Sequence, residues 1–453
     1  MIPFTLSDVA PILDAELVGN DTVIGHVSTD TRDIQLNGLF VALIGERFDA
    51  HDFCHQAVSN GVSALLVSKP LDLAVPQLVV SDTKIALGQL GAWIHQQSSS
   101  LTVALTGSCG KTTVKEMLAE ILQLKGKVLA TAGNFNNEIG VPLTLLRSQP
   151  QDDYSIIELG ANHLNEIAYT TQLVKPDIAL INNIAAAHLE GFGSLQGVGK
   201  AKGEIFQGLS TGGHAVINAD SCDMDQWQAI LKGKSVTFFS LNNPQTDVYG
   251  TNIVINHQGE TSFTLHTPKG DVDINLNVVG KHNISNALAA AALATLANAT
   301  LAEIKQGLES VLNVKGRVEV IKLTERLTLI DDSYNASVPA MKSAAELLSS
   351  FQGQRWLVLG YMAELGVESL ALHRQVGEYA AQFDFEQVVT FGSDSKIISE
   401  LCSGIHFDCR AALIEYLLQQ LDKQNNNEVT VLVKGANSSR MSDVVKALKE
   451  SNK

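Results

Sequence analysis

Thr106-Gly107-Ser108-Cys109-Gly110-Lys111-Thr112-Thr113 is a run of residue types suited to phosphate chemistry. Glycines let backbone N–H groups wrap an anion, and a helix N-terminus adds unpaired donors and a partial positive charge. Lys111 supplies a point charge, and a hydroxyl of Thr112 or Thr113 can reach Mg²⁺. The flanks fit. Leu101-Thr-Val-Ala-Leu105 reads as a buried strand, and Val114, Met117, Leu118, Ile121 and Leu122 recur at helical spacing. Strand, glycine-rich turn, Lys-Thr and helix form the context of a phosphate-binding loop, so the chain is expected to handle a nucleoside triphosphate. The customary first glycine is replaced by Leu105, and Cys109 reads as a small side chain fitted to a tight turn rather than a nucleophile.

Further polar residues fall at the ends of apolar runs, where ligands gather in open α/β sheets. Glu158, Gly160, Asn162 and His163 follow one such run, and Asn182, Asn183 and His188 follow another. Glu158 suits a Mg²⁺ ligand, or else a carboxylate paired with a neighbouring cation. His188 alone reads equally as a ligand or as a histidine satisfying a buried hydrogen bond. Lys200 and Lys202 lie two positions apart on a helical stretch and so point to roughly opposite faces; one can face a cleft while the other faces solvent, although either alone reads equally as a solvated lysine. Asn283 and Asn286 share a helix face, where their amides can read adenine edges or cap the helix. Arg317 after Gly316, and Asp331-Asp-Ser-Tyr-Asn335 at a strand end, can hold ribose and phosphate from another domain, and Lys434 can pin an anion.

The elements that must position these residues form an α/β pattern. At 453 residues the chain should hold about three domains, and we divide it at 1–82, 83–313 and 314–453. The first unit carries strands at 38–45, 64–67 and 77–80. In the second, strands are expected at 101–106, 154–159, 177–182 and 214–218 with helices between them, which is a doubly wound parallel sheet. A β-rich insert follows at about 236–279, and an alanine-rich helix over about 283–297. The third unit restarts the alternation, with strands at 327–330, 356–359, 387–391 and 429–433. Asn425-Asn-Asn427 reads as a solvated loop.

Composition narrows the partners. Thirty-two Lys and Arg against 48 Asp and Glu leave a net charge of −16, with no basic block. Nucleic acid is excluded as a general partner, because phosphate neutralisation supplies most of that affinity. The five cysteines, at 54, 109, 222, 402 and 409, form no Cys-x-x-Cys pair and read as free thiols of a reducing compartment. The N-terminus shows no export signal, and the apolar stretch from Ile284 to Ala302, interrupted by Asn286 and Asn298, reads as a packed helix rather than a membrane span.

Taken together, the motifs resemble the Mur ligases of bacterial cell-wall synthesis. The resemblance runs through Ser28-Thr-Asp-Thr-Arg32, Gly45-Glu-Arg-Phe-Asp-Ala-His-Asp52, Thr106–Thr113, Asn134-Phe-Asn-Asn-Glu-Ile-Gly140, Glu158-Leu-Gly-Ala-Asn-His163, Asn182 to Gly193, Lys200-Ala-Lys-Gly-Glu204, His282-Asn-Ile-Ser-Asn286 and Asp331–Asn335, and covers essentially the whole chain. It implies three domains, for a UDP-sugar, for ATP on a central P-loop parallel sheet, and for the incoming amine on a C-terminal Rossmann-like domain. It implies an ATP- and Mg²⁺-dependent ligase that phosphorylates the terminal carboxylate of UDP-N-acetylmuramoyl-tripeptide and lets the amine of D-alanyl-D-alanine attack the acyl phosphate. The protein would work in the cytoplasm, as a monomer without stable membrane association.

The resemblance also assigns residues. Thr106 to Thr113, Asn283, Asn286, Arg317 and Asp332 match nucleotide contacts. Thr112, Glu158, His188 and Lys202, the last as its carbamate, match metal ligands, and Lys111 acts on the transferring phosphate. Ser28, Thr29, Arg32, Asp49 and His51 match the UDP end; Asn134, Asn137, Asn162, His163, Asn335 and Lys434 are carried as substrate contacts. Three positions depart from the family pattern. Tyr361 stands where Gly-Asp-Met-Ala-Glu-Leu-Gly has aspartate, Lys434-Gly-Ala-Asn-Ser438 replaces a Lys-Gly-Ser-Arg-Ser pattern, and Asn165 replaces a common glycine. A sibling ligase adding a diamino acid should carry an Asp-Asn-Pro-Arg-type motif, absent here, and a motor-type P-loop ATPase would not need the Glu158, His188 and Lys202 set.

Overall fold

Alternation of strand and helix from residue 101 to 218 lays down parallel strands, because each intervening helix returns the chain to the same end of the sheet. A computed structural model describes residues 1–451 except 46, 211, 222–223, 257–258, 312–315 and 425–426. Of the positions singled out above, Glu46, Cys222, Asn425, Asn426 and the 313/314 junction lie outside the described residues. Among the described residues, a nine-stranded sheet runs in the order Gly270–Leu276, Thr261–Thr267, Val248–Ile255, Ser235–Ser240, His214–Asn218, Ile178–Ile181, Leu101–Thr106, Tyr154–Glu158, Val128–Ala130. The strand Leu101–Thr106 lies between Tyr154–Glu158 and Ile178–Ile181, so successive crossovers go to opposite sides of it. That is a topological switch point, and a crevice opens at its carboxyl end. Register places Glu158 beside Leu105, and Ile181 beside Thr106, at that edge.

The segment over about 236–279 is not an insert. Ser235–Ser240 and Val248–Ile255 continue the sheet in parallel, and Thr261–Thr267 and Gly270–Leu276 close it antiparallel. Alternation at period two showed strands there, but it carries no information about which sheet they join.

Helix Lys111–Gln123 buries Val114, Met117, Leu118, Ile121 and Leu122 completely. Each such side chain contributes about 1.5–3 kcal/mol on burial, so the helix end that carries the loop is firmly seated. The alanine-rich helix His282–Leu296 packs in the same core; its small side chains permit close approach on nearly every side.

Among the described residues, two mixed sheets and a two-stranded pair, Phe4–Thr5 with Val23–Ile24, accompany this one. Glu16–Val18, Gln77–Val79, Ala64–Val67, Gly38–Val41 and His26–Ser28 form one, parallel except at its first pair. Glu319–Lys322, Leu327–Asp332, Val429–Lys434, Gln354–Gly360, Gln387–Phe391 and Ile405–Phe407 form the other, also parallel except at its first pair. Leu189 and Phe192 of the central part share one apolar cluster with Met362 and Leu365 of the last, so the two face each other through packed side chains. Among the described residues, no helix is long and apolar enough to cross a membrane.

Candidate active site

The loop 106–113 is held from below by amides. Thr106 Oγ1 donates to Leu159 O at 2.7 Å. Asn183 Oδ1 accepts from Cys109 N at 2.8 Å, while the Asn182 and Asn183 amides donate to Cys109 O at 2.9 and 3.0 Å. Gly110 has φ +78°, and a Cβ there would run into the Asn286 and Asn182 side chains. Glycine is therefore required both for the turn and for room. Ser108 Oγ accepts from Ala185 N at 2.9 Å, and Lys111 Nζ folds back to donate to Gly107 O at 2.7 Å. Thr113 follows in the first helical turn, half-buried.

Glu158 is almost fully buried and reaches this loop directly. Thr112 Oγ1 donates to its Oε2 at 3.0 Å, and Asn136 Nδ2 to its Oε1 at 2.8 Å. Lys202 is 1% exposed while Lys200, on the other side of helix Leu195–Gly203, is exposed; the split expected from helical spacing is what the helix shows. Burial pulls the Lys202 ammonium down to about 7, the nearby Lys111 charge adds to the fall, and Glu166 and Glu204 oppose it. Lys202 Nζ also stands 5.4 Å from the centre of the Phe192 ring. Desolvation lowers Lys111 as well, with Glu158 holding it up. His188, at φ +54°, is lowered by burial; Glu364 raises it, and Lys111 and Lys202 lower it further. Lys111 thus lies within electrostatic reach of Glu158, His188 and Lys202, and His188 within reach of Lys202. Close cations of this kind hold an anion well and hold each other badly.

The last sheet contributes to the same place. Arg317 lies over the Tyr334 ring at 4.2 Å and acts electrostatically on both Lys111 and Asp332. Asp332 accepts from Lys434 Nζ at 2.6 Å, and Lys434 also donates to Asn335 O at 3.0 Å. Burial pushes the Asp332 carboxyl up, and the Lys434 ammonium pulls it back. Cys109 Sγ lies 3.1 Å from Ser337 Oγ, so the loop itself touches this part. Beside the His188–Glu364 contact opens a cavity of about 440 Å³ lined by Glu190, Tyr361, Glu364, Ser369 and Asp394. Tyr361 packs against Gly392, donates its hydroxyl to Ser438 at 3.2 Å, and so walls that cavity.

Other expected residues sit differently. Asn286 Oδ1 accepts from Asn182, Asn286 Nδ2 donates to Asn283 Oδ1, and Asn283 Nδ2 donates to Val279 O; this amide chain supports the loop. Asn137 Oδ1 accepts from Gly140 N at 2.8 Å, at the start of helix Gly140–Leu145. Asn134 and Asn162 are exposed, and His163 pairs with Glu166 at 3.0 Å. Asn165 has φ +71°, which explains why a glycine is usual there. In the first sheet, His51 Nε2 accepts from Ser68 N at 2.9 Å, which puts the ring proton on Nδ1, 2.5 Å from Asp49 Oδ1. Ser28 bonds to Asp30 N and O at 3.0 Å beside the half-buried Thr29, and Arg32 forks onto Asp30 on the surface.

Sequence reasoning passed over Asn136 and Glu364. Asn136 stands between Asn134 and Asn137, and only its contact with Glu158 distinguishes it. Glu364 pairs with a residue 176 positions away, which no local spacing reveals.

Three larger sheets, with a phosphate loop at a switch point of the central one and a mostly parallel sheet from the C-terminal part against it, define a P-loop α/β enzyme of the ligase kind. The family model described as Mur ligase middle domain matches residues 105–294, and that described as Mur ligase, glutamate ligase domain, matches 316–437. The chain belongs to the Mur ligase family, ATP-dependent ligases that form C–N bonds. It is 52% identical over 451 residues to the UDP-N-acetylmuramoyl-tripeptide–D-alanyl-D-alanine ligase of Escherichia coli strain K12, covering 99% of each chain. Its fold matches the crystal structure of MurF from Acinetobacter baumannii, with a TM-score of 0.94, 35% identity and 99% of each chain covered. It also matches the MurF ligase from Thermotoga maritima in complex with ADP, with a TM-score of 0.84, 26% identity and 94% and 97% covered.

Proposed function

We propose that the protein joins D-alanyl-D-alanine to UDP-N-acetylmuramoyl-tripeptide in the cytoplasm, as a monomer, with conversion of ATP to ADP and phosphate. The observation that carries this reading is the convergence of Lys111, Glu158, His188 and Lys202 on one crevice, in a chain that aligns end to end with a ligase of that name.

The residues fit Mg²⁺. Among the described residues no three His, Cys, Asp or Glu side chains cluster as a closed metal cage. Mg²⁺ prefers one or two protein oxygens completed by phosphates and water, and Glu158 with the Thr112 hydroxyl offers that set, with His188 and Lys202 nearby. Bound there, Mg²⁺ would offset the charge of phosphate and carboxylate brought together. An ammonium cannot ligate a cation. A lysine brought to about 7 has a large neutral fraction at neutral pH, and a neutral amine can add to CO₂ and release a proton, leaving the oxygen ligands of a carbamate.

Loop N–H groups and Lys111 hold the γ-phosphate and stabilise its charge. A carboxylate oxygen of the tripeptide attacks the γ-phosphorus, the bond to the β-phosphate oxygen breaks, and ADP leaves. The free amine of the dipeptide attacks the acyl carbon. The tetrahedral intermediate expels phosphate with the former carboxylate oxygen, and the nitrogen loses its proton. Arg317 and Asp332 meet the nucleotide from the last sheet, so docking of that part completes the site. Asn283 and Asn286 support the loop and meet adenine with their remaining valence. Ser28, Thr29, Arg32, Asp49 and His51 form the UDP end, and Asn134, Asn137, Asn162 and His163 border the peptide. The dipeptide takes the cavity walled by Tyr361, and Asn335 and Lys434 act as further substrate contacts on the same sheet.

The test is a product assay. Purified protein with ATP, Mg²⁺ and both substrates should release phosphate and yield the amide-linked product by mass spectrometry. Omission of either peptide substrate should abolish turnover; phosphate release that needs neither would sink the ligase reading.

A further inference from the structure

His188 is held by two parts of the molecule at once. Its backbone belongs to the segment after strand Ile178–Ile181 of the central sheet: the His188 carbonyl accepts from Gly191 N and Phe192 N at 3.1 Å, opening the short helix Leu189–Phe192. Its ring stands edge-on to Phe192, with centroids 6.3 Å apart and planes at 82°. Its Nδ1, however, faces the Glu364 carboxylate of the last sheet. Glu364 is fixed independently of this contact. It has φ +60°, its carbonyl accepts from Glu190 N at 3.1 Å, and the next residue, Leu365, is buried in the apolar cluster shared by both parts.

A neutral imidazole has one donor and one acceptor nitrogen. A carboxylate only accepts, so the Glu364 contact places the proton on Nδ1 and leaves the lone pair on Nε2. Carboxylates behind metal-binding histidines set both ring orientation and tautomer in this way. The Glu364 side chain is 48% exposed, so its removal opens no core.

We propose that Glu364 is a positioning residue for His188: reaching across the interface, it fixes the ring with Nε2 available to the metal, so that the metal site is completed only when the last sheet is docked. The proposal rests on the reading of His188 as a metal ligand. A simple latch between two parts would need the charge of Glu364. A positioning residue needs only an acceptor for the Nδ1 proton, which a glutamine amide oxygen also supplies.

The test uses the full chain with Mn²⁺ in place of Mg²⁺, a non-hydrolysable ATP analogue and the UDP-sugar tripeptide. Pulsed electron spin resonance reads ¹⁴N coupling from a ligating imidazole, and a titration reads Mn²⁺ affinity. Glu364→Ala should lose or weaken the coupling and bind Mn²⁺ about 10–100-fold more weakly. Glu364→Gln should keep the coupling, with affinity within a few-fold of the parent. Parent-like coupling and affinity in Glu364→Ala would overturn the proposal, as would equal losses in both variants. His188→Ala separates the two ideas: coupling that persists there means that His188 is no ligand at all.

Discussion

Two buried polar clusters, one at the phosphate loop and one in the first sheet, look alike in sequence and differ in physics. Asp49, His51 and Ser68 satisfy one another: every hydrogen bond named there has a donor and an acceptor, and the histidine is 5% exposed. Lys111, Lys202 and His188 are partly or fully buried with like charges in reach, and burial or mutual repulsion works against their charged forms. A satisfied network stabilises the fold whether or not a ligand is bound. A frustrated one is relieved by an anion or metal, which is a mark of a working site rather than a scaffold. His51 can still border the UDP end, but its stabilising role comes first.

The comparison predicts opposite responses to substitution. Lys202→Met should lower turnover by about 10²-fold or more, and added bicarbonate should not restore it. Its melting temperature should equal or exceed the parent's, since an apolar side chain replaces a buried charge. Near-parent turnover would remove Lys202 from the chemistry.

Buried histidines of the satisfied kind should act through stability and pH. His95 bonds Ser148 Oγ at 2.9 Å and Thr102 Oγ1 at 3.1 Å, and burial lowers it from 6.5 to about 4. The unfolded chain therefore binds a proton between those values that the folded chain refuses. The stability from a neutral His95 is whole above pH 6.5 and is lost as pH falls toward 4, by about 3 kcal/mol. Acid unfolding followed by circular dichroism should flatten over that window in His95→Gln; an unchanged acid limb would assign the loss to other groups.

The smallest effect is expected at His51. His51→Ala leaves Ser68 N without its acceptor and takes the ring from Asp49, which keeps the backbone N–H of residue 51, at a cost of about 1–3 kcal/mol. Urea unfolding should register it, while kcat at saturating substrates stays close to the parent's. A large fall in kcat with unchanged stability would erase the contrast between the clusters.

Much of the loop was legible because strand, turn and helix are local patterns. Leu101–Thr106 follows from a short apolar run buried on both faces, the apolar face of Lys111–Gln123 from helical spacing, and Lys200 and Lys202 separate for that second reason. What was not legible is set by long-range packing. The strands over 235–276 joined the central sheet rather than standing apart, because strand pairing is chosen by edges that sequence does not display. Asn182, Asn183 and Asn286 support Cys109 and Gly110 from distant strands and a distant helix. Glu364 meets His188 only because Leu189, Phe192, Met362 and Leu365 share a core.

Acyl-phosphate formation has an atomic signature that ATP hydrolysis lacks. The tripeptide substrate would be labelled with ¹⁸O in its terminal carboxylate and turned over with ATP and D-alanyl-D-alanine, and the released phosphate read by ³¹P NMR. If this crevice activates the carboxylate, each phosphate carries one oxygen from it and the new amide keeps the other. Phosphate free of ¹⁸O, with its fourth oxygen drawn from water, would contradict that chemistry.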